Sequence, residues 1–123
     1  MGETDEAAAC DIGARLRGKR CVPCEGGVPK LTHDEIVALK PQVSDAWRVV
    51  DDHHLTCSLR FDDFKSALAF TNEVGAVAEE EFHHPDITVA WGRVDIVLFT
   101  HAIDGLAEND FILAAKIDAL PRP

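Results

Sequence analysis

The sequence has no long apolar run and is poor in positive charge. No uninterrupted apolar stretch approaches the roughly 18 residues that cross a bilayer, so we expect no membrane-spanning helix. Acidic residues between Glu3 and Asp11 interrupt any signal-type apolar segment and argue against a transit peptide, so we expect a cytoplasmic protein. Lysine and arginine number 12 against 22 aspartates and glutamates, a formal net charge of −10. Such an acidic surface repels phosphate groups, which argues against direct nucleic-acid binding or docking on anionic lipid.

Several motifs of common catalytic and binding sites are also absent. Gly26-Gly27 is not followed by the lysine and hydroxyl residue of a phosphate-binding loop, and no Gly-x-Ser-x-Gly nucleophile motif occurs. Cys21-x-x-Cys24 is a lone pair, since its only nearby extra ligand candidates, Cys10 and His33, stand at irregular spacing. We therefore interpret it as a turn carrying two free thiols in a reducing compartment.

What is present is enough sequence for one domain. The chain has 123 residues, of which 46% are hydrophobic and 28% charged, a globular composition. A chain of this size buries roughly two-thirds of its surface, enough for one core without metal or disulfide support. Residues 1–30, rich in glycine, alanine and charge, predict a flexible N-terminal tail that includes the Cys-x-x-Cys-x-Gly-Gly segment, and residues 31–123 predict a single domain.

Apolar periodicity then predicts the elements of this domain. Thr32 and Glu35 form a capping-box pattern for a first helix, which Pro41 stops. Two hairpins are predicted, at 47–61 around a polar turn and at 87–100 around Gly92. A long helix begins after Asp62 or Asp63, and a last helix follows Gly105. The order α-β-β-α-β-β-α predicts an α+β fold, with a four-stranded antiparallel sheet and helices packed on one face.

The long helix carries an apolar stripe that we expect to face the core. Its members recur at intervals of three and four: Phe64, Ala67, Leu68, Thr71, Val74 and Ala78. Phe70 and Val77 lie off this stripe. The acidic run 79–81 opposes the helix dipole, so we expect the helix to fray there.

Five of the six histidines fall in three short segments. His53-His54 follows two aspartates and predicts a solvated polar turn. In His83-His84-Pro85-Asp86 the proline favours an extended segment that holds two adjacent imidazoles on opposite sides. His101 ends the strand paired with the one that begins at Ile87, so the hairpin brings it towards this segment, and Asp110 begins the last helix nearby. Three interpretations stay open here: acid–base catalysis, a metal site of three histidines and a carboxylate, or histidines that merely cluster on the surface.

These motifs resemble a known family. The run Glu79-Glu80-Glu81-Phe82-His83-His84-Pro85-Asp86, the strand Val94 to His101, and Gly105-Leu106-x-x-x-Asp110 are similar to pterin-4a-carbinolamine dehydratases. The likeness runs from about Leu31 to Leu120, and the Cys21 to Pro29 segment resembles a leader of some members. The resemblance implies an α+β subunit that forms dimers or tetramers, needs no metal or other cofactor, and dehydrates 4a-hydroxytetrahydropterins to quinonoid dihydropterins. That reaction recycles the cofactor of aromatic amino-acid hydroxylases.

The resemblance also implies roles for individual residues. His83, His84 and His101 match the catalytic histidines, and Asp110 matches the acidic supporting position. The pocket-lining positions are occupied by Phe82, Phe99, Thr100 and Ala102. Loss of water from a carbinolamine needs one proton delivered to the leaving oxygen and one removed from a ring nitrogen, which imidazoles do well near neutral pH. Ile87, Phe82 and Ala107 depart from common family residues, and Ala107 lacks the side chain of a helix cap.

A second function is implied by the same resemblance. Some animal members also dimerise with a homeodomain transcription factor through a helix face. The helix predicted from Asp62 to Glu80 is the surface to test, with Phe70 and Val77 as its candidate contacts, and any such role runs through a protein partner rather than DNA.

Overall fold

Helices and antiparallel hairpins alternate along the chain. The computed structural model describes residues 14–21 and 29–122. Within those ranges the helices are α1 (Ala14–Arg17), α2 (His33–Leu39), α3 (Phe64–Glu81) and α4 (Glu108–Asp118). The strands are β1 (Arg48–Val50), β2 (His54–Arg60), β3 (Asp86–Ala90) and β4 (Arg93–Leu98). Short 3₁₀ turns cover Lys40–Gln42 and His101–Ile103. From α2 onward this is the predicted element order, and the predicted fold class is confirmed.

The strands form one antiparallel sheet in the order β1-β2-β4-β3. Leu55 pairs with Leu98 between β2 and β4, and Ile87 pairs with Ile96 between β3 and β4. Alternate residues of the two central strands are buried on the face that α3 and α4 cover, as a period of two requires. Because β4 lies between β2 and β3, the end of β4 adjoins both the β1–β2 turn and the start of β3.

Helix α3 begins and ends with defined caps. The Asp63 carboxylate accepts the Ser66 N–H at 2.7 Å, which confirms the predicted start. At the other end the N–H groups of Phe82 and His83 donate to the carbonyls of Glu79 and Ala78, a Schellman motif with Phe82 in the left-handed conformation at φ +53°. A helix that closes in this way fixes the direction in which His83 leaves it.

The expected fraying at the acidic run does not occur. Helix α3 continues through Glu81, whose buried carboxylate accepts the Cys21 N–H at 2.8 Å and the Lys116 ammonium at 3.2 Å. Burial alone would raise the pKa of Glu81, but these two hydrogen bonds and the charge of Lys116 outweigh it and hold that pKa below its ordinary value. One of the three carboxylates is thus neutralised from outside the helix.

The predicted stripe on α3 has the wrong phase at two positions. Phe64 and Leu68 are 46% and 43% exposed, whereas Phe70 is buried and Val77 packs against the core. The helical residues that are buried share one line of contact with the sheet and α4: Ala67, Phe70, Val74, Ala78 and Glu81. Leu68 and Phe70 are two residues apart and so lie on different sides of a helix. Phe70, the larger of the two side chains, is the one that packs in the core.

Part of the predicted tail packs on the domain. Helix α1 contacts α4, Leu16 is fully buried, and the Lys19 ammonium lies 2.9 Å from the Glu108 carboxylate. A single leucine within a basic stretch shows no apolar period, which is why the sequence does not predict this contact. The boundary at residue 30 stays a prediction, and Cys10, Cys24 and Gly26-Gly27 lie outside the described residues.

No helix within residues 14–21 and 29–122 is both long enough and apolar enough to cross a membrane.

Candidate active site

Asp110 lies at the centre of a buried polar cluster at the start of α4. It occupies the first turn of α4 and is fully buried. Its Oδ2 accepts the Thr100 hydroxyl at 2.9 Å and the Ala107 N–H at 2.9 Å, and its Oδ1 lies 2.6 Å from His83 Nε2. Ala107 has no side-chain acceptor of its own, so only the Asp110 half of a capping box is present. One carboxylate therefore caps a helix and holds an imidazole.

His83 is fixed at both its backbone and its ring. Its N–H closes the Schellman motif of α3, and its side chain is 13% exposed. An ionised Asp110 assigns the proton to Nε2, which donates to the carboxylate. Within the described residues Nδ1 then has no hydrogen-bond partner. The lone pair of that nitrogen is available to a ligand.

His84 and Phe82 lie on the solvent side of the same segment. The His84 ring is about half exposed and forms a hydrogen bond with the Glu79 carboxylate, and Phe82 packs edge-on against it with ring centroids 5.6 Å apart. Phe82 is 83% exposed, an unusual state for a phenylalanine held in the left-handed region. The two adjacent histidines thus face opposite environments, one a buried carboxylate and the other solvent.

His101 begins the 3₁₀ turn that follows β4. It is exposed, and its ring lies against Phe99 with centroids 4.1 Å apart and planes inclined by 33°. Ala102, next in the same turn, is also exposed. Thr100, which lies between Phe99 and His101 in the sequence, is buried and its hydroxyl donates to Asp110, so it supports the carboxylate rather than lining an open surface.

The structure joins some of the predicted site residues directly and others through their neighbours. His83, Thr100 and Asp110 share one hydrogen-bond network. The β3–β4 register begins with Asp86 paired with Val97, so residues 83–85, which precede β3, lie next to the end of β4. The histidine pair therefore enters β3 beside the residues at which β4 ends.

The β1–β2 turn contains a functional candidate that the sequence interpretation passed over. His53 and His54 are not a solvated turn: both are half-buried, and His53 packs on Phe99 with ring centroids 4.8 Å apart. His53 Nε2 also lies 2.8 Å from the Asp104 carboxylate. The β2–β4 pairing brings this turn to the end of β4, and nothing in the sequence pattern indicates which strands are neighbours.

Residues 14–21 and 29–122 contain no group of three or more His, Cys, Asp and Glu side chains arranged to hold a metal ion. Cys57 is buried in the core, where desolvation and the charge of Asp118 raise its pKa to about 12. A thiol with so high a pKa is unreactive at neutral pH.

The family model and the relatives that match this chain all belong to one family. A family model described as pterin 4 alpha carbinolamine dehydratase matches residues 29–120. A relative from Rubrobacter xylanophilus is 54% identical over 87% of this chain and 99% of its own. One from Alkaliphilus metalliredigens is 50% identical over 84% of this chain and 93% of its own. Both are provisionally named pterin-4-alpha-carbinolamine dehydratases.

Two solved structures share the fold. A transcriptional coactivator/pterin dehydratase from Brucella melitensis has a TM-score of 0.68 and 35% identity, over 74% of this chain and 97% of its own. A pterin dehydratase-like protein described as a RuBisCO assembly factor in the alpha-carboxysome has a TM-score of 0.52 and 28% identity, over 60% of this chain and 87% of its own. With the family model covering most of the domain and relatives near half identical, the chain belongs to the pterin 4 alpha carbinolamine dehydratase family.

Proposed function

We propose that this protein dehydrates 4a-hydroxytetrahydropterins to quinonoid dihydropterins by histidine acid–base catalysis. In this reaction the C4a–O bond breaks and its electron pair leaves with the oxygen. A proton is added to that oxygen to give water, and the proton on N5 is removed as the C4a=N5 double bond forms. One proton enters and one leaves, so the reaction needs no oxidant, reductant or co-reactant.

The observation that carries the proposal is the contact between His83 and Asp110. A buried carboxylate that accepts a hydrogen bond from Nε2–H leaves Nδ1 as the basic atom and stabilises the imidazolium formed when Nδ1 takes a proton. We assign to His83 the removal of the N5 proton. His101 is exposed and its ring has no hydrogen bond within the described residues, so it is assigned the delivery of a proton to the leaving oxygen.

The remaining residues bind and orient the substrate in this proposal. His84, held by Glu79, and the exposed Phe82 ring present a polar and an apolar surface next to His83. Phe99 and Ala102 flank His101, and Thr100 holds Asp110 in place. The family membership and the family match over residues 29–120 support this assignment of the pocket.

Stopped-flow measurement of carbinolamine decay tests the proposal. We expect His83→Ala and His101→Ala each to lower the catalysed rate by about 10²–10⁴-fold. His33→Ala is the matched control, because His33 is an exposed histidine that also pairs with an aspartate, Asp52 at 2.9 Å, but lies on α2. Wild-type rates in both site variants would refute the site, and a rate abolished by a chelator would refute catalysis without metal.

A contact with another protein chain is a second proposal, and it rests on α3. Phe64 and Leu68 are four residues apart on the helix and both are exposed, so they form one apolar surface. Of the two contacts expected from the sequence, Phe70 is buried in the core and Val77 is partly buried against it. We infer that Phe64 and Leu68 pack against a second copy, forming a dimer or tetramer, or against a protein partner. Light scattering should show a smaller particle for Phe64→Ser/Leu68→Ser than for the wild type. Co-purification that yields only self-assembly would count against a regulatory partner.

A further inference from the structure

The β1–β2 turn is tied to the turn that carries His101. The Asp104 carboxylate accepts a hydrogen bond from His53 Nε2 at 2.8 Å, and the Asp104 N–H donates to the His101 carbonyl at 3.2 Å. Asp104 lies at the end of the His101–Ile103 turn in the left-handed conformation, at φ +49°. A single residue thus contacts His53 through its side chain and His101 through its backbone.

A second connection runs through the rings. His53 packs on Phe99 with centroids 4.8 Å apart, and Phe99 packs on His101 with centroids 4.1 Å apart. Both pairs are tilted, with interplanar angles of 39° and 33°. His53, only 34% exposed on its side chain, therefore lies against the same phenyl ring that supports His101.

The groups around His53 hold its ring in the hydrogen bond with Asp104. The hydrogen bond and the charge of His53, with smaller effects from Lys30 and His101, lower the pKa of Asp104 below its ordinary value. His53 Nδ1 lies 3.0 Å from His54 Nδ1, a distance that requires one proton between the two nitrogens. With both of its nitrogens bonded, the His53 ring has little freedom to rotate away from Phe99.

His101 by contrast has no hydrogen bond to its own ring within the described residues. An exposed imidazole without such a bond samples several staggered rotamers, and a proton donor must be held close to its target to act. Of the ring contacts the structure shows, only the one with Phe99 restricts His101. Whatever holds Phe99 and the 3₁₀ turn therefore orients His101.

We propose that His53 and Asp104 are positioning residues for His101. The pair locks the β1–β2 turn to the 3₁₀ turn and holds Phe99 against the His101 ring, in the orientation that delivers a proton to the leaving oxygen. The kinetic part of this proposal rests on the proposed dehydratase function, whereas the geometric part does not.

Two variants separate the contacts. His53→Ala removes both the hydrogen bond to Asp104 and the ring on Phe99. Asp104→Asn removes only the carboxylate charge, and asparagine tolerates the left-handed conformation at this exposed position. His33→Ala is again the control, because it breaks a different His–Asp pair of the same β1–β2 turn, the one between His33 on α2 and Asp52, and leaves His53, Phe99 and Asp104 in place. The Asp104 side chain is 82% exposed, so Asp104→Asn is expected to fold even where His53→Ala does not.

The readouts are steady-state kinetics with a pterin carbinolamine and NMR of the histidine rings, with the His101 signal assigned by its loss in His101→Ala. We expect each variant to lower kcat about 5–10-fold with KM changed less than about twofold. The double variant should lose no more than the larger single effect, because both changes act on one contact. The His101 ring signal should move in both variants and stay unchanged in His33→Ala.

An unmoved His101 signal in both variants would overturn the positioning role. If kcat falls although that signal is unmoved, His53 acts on the substrate directly and not through His101. If the wild type shows no dehydratase activity, the proposed function fails, and the NMR comparison still decides whether His53 and Asp104 orient His101.

Discussion

His83 and His101, the two proposed proton carriers, are held in different ways. The His83 ring is largely buried and bonded to a carboxylate that also caps α4. The His101 ring is exposed and packs on Phe99, and Phe99 in turn packs on His53 of the β1–β2 turn. The first arrangement joins catalysis to the stability of the domain, because its bonds are buried. At His101, by contrast, the proposed catalytic role and the stability of the domain are nearly independent, because the ring is exposed.

The largest effect is expected from removing the carboxylate of the buried half. Asp110→Ala leaves the Thr100 hydroxyl, the Ala107 N–H and the His83 ring without their acceptor, and each unpaired buried group costs about 1–3 kcal/mol. We expect urea unfolding to show a loss of about 3 kcal/mol or more. A loss below about 1 kcal/mol would mean that water replaces the carboxylate and that the cluster is less closed than the structure indicates.

The histidine variants give a direct test of the difference between the two halves. His83→Ala leaves Asp110 Oδ1 unpaired in the interior and should lower the free energy of unfolding by about 1–3 kcal/mol. His101→Ala removes an exposed ring and should lower it by less than about 0.5 kcal/mol. Chemical denaturation of both variants checks this. Equal stability losses would show that the two sites are supported alike.

Glu81, two residues before His83, connects the end of α3 to Cys21 of the N-terminal segment. Glu81→Gln weakens the bonds to the Cys21 N–H and Lys116 and should cost about 1 kcal/mol at neutral pH. Because the pKa of Glu81 in the folded protein is held below its ordinary value of 4.5, the wild-type advantage is fully present above that pH and declines as the pH falls through the folded pKa.

The difference in unfolding free energy between the wild type and Glu81→Gln, measured from pH 7 to pH 3, should therefore shrink at the acid end. Thr32→Ala, which removes the exposed N-cap of α2, is the control whose cost should not follow Glu81 protonation. A wild-type advantage that grows on acidification would contradict the direction assigned to the Glu81 pKa.

Only a small stability effect is expected at Phe82, which lies between the end of α3 and His83. Glycine adopts the left-handed conformation without strain, and the exposed phenylalanine ring buries little surface. Phe82→Gly should therefore change the free energy of unfolding by less than about 1 kcal/mol in either direction. In a carbinolamine assay its KM should rise, because the proposed apolar surface for the pterin is gone. An unchanged KM would remove Phe82 from the site.

Local patterns predicted the elements of this fold well. The Thr32–Glu35 capping box, the Asp63 cap and the order of helices and hairpins follow from short-range rules, and the structure has all of them. The His83–Asp110 proximity also followed from one hairpin and one helix start. Each of these depends on residues that are close in sequence or joined by a single turn.

What could not be predicted depends on the choice of neighbours. The phase of α3, where Phe70 replaces Leu68 in the core, is set by the sheet and α4. The role of His53 depends on the pairing of β2 with β4, which alternation alone does not specify. Glu81 bonds to Cys21 and Lys116, which are 60 and 35 residues away in sequence, and the helix that carries Leu16 packs on α4 near the other end of the chain, so no local pattern indicates these contacts.

The strand order β1-β2-β4-β3 has a consequence for how the domain folds. Pairing β2 with β4 closes a loop that contains all of α3 and β3, so the central ladder forms only after that segment has folded back. Such non-local closure is slow compared with the formation of a hairpin or helix. The β3–β4 hairpin alone already sets the His83-His84 segment beside the end of β4, whereas His53 reaches Phe99 and Asp104 only when β2 pairs with β4. A chain that has formed only its hairpins therefore lacks the contacts of His53.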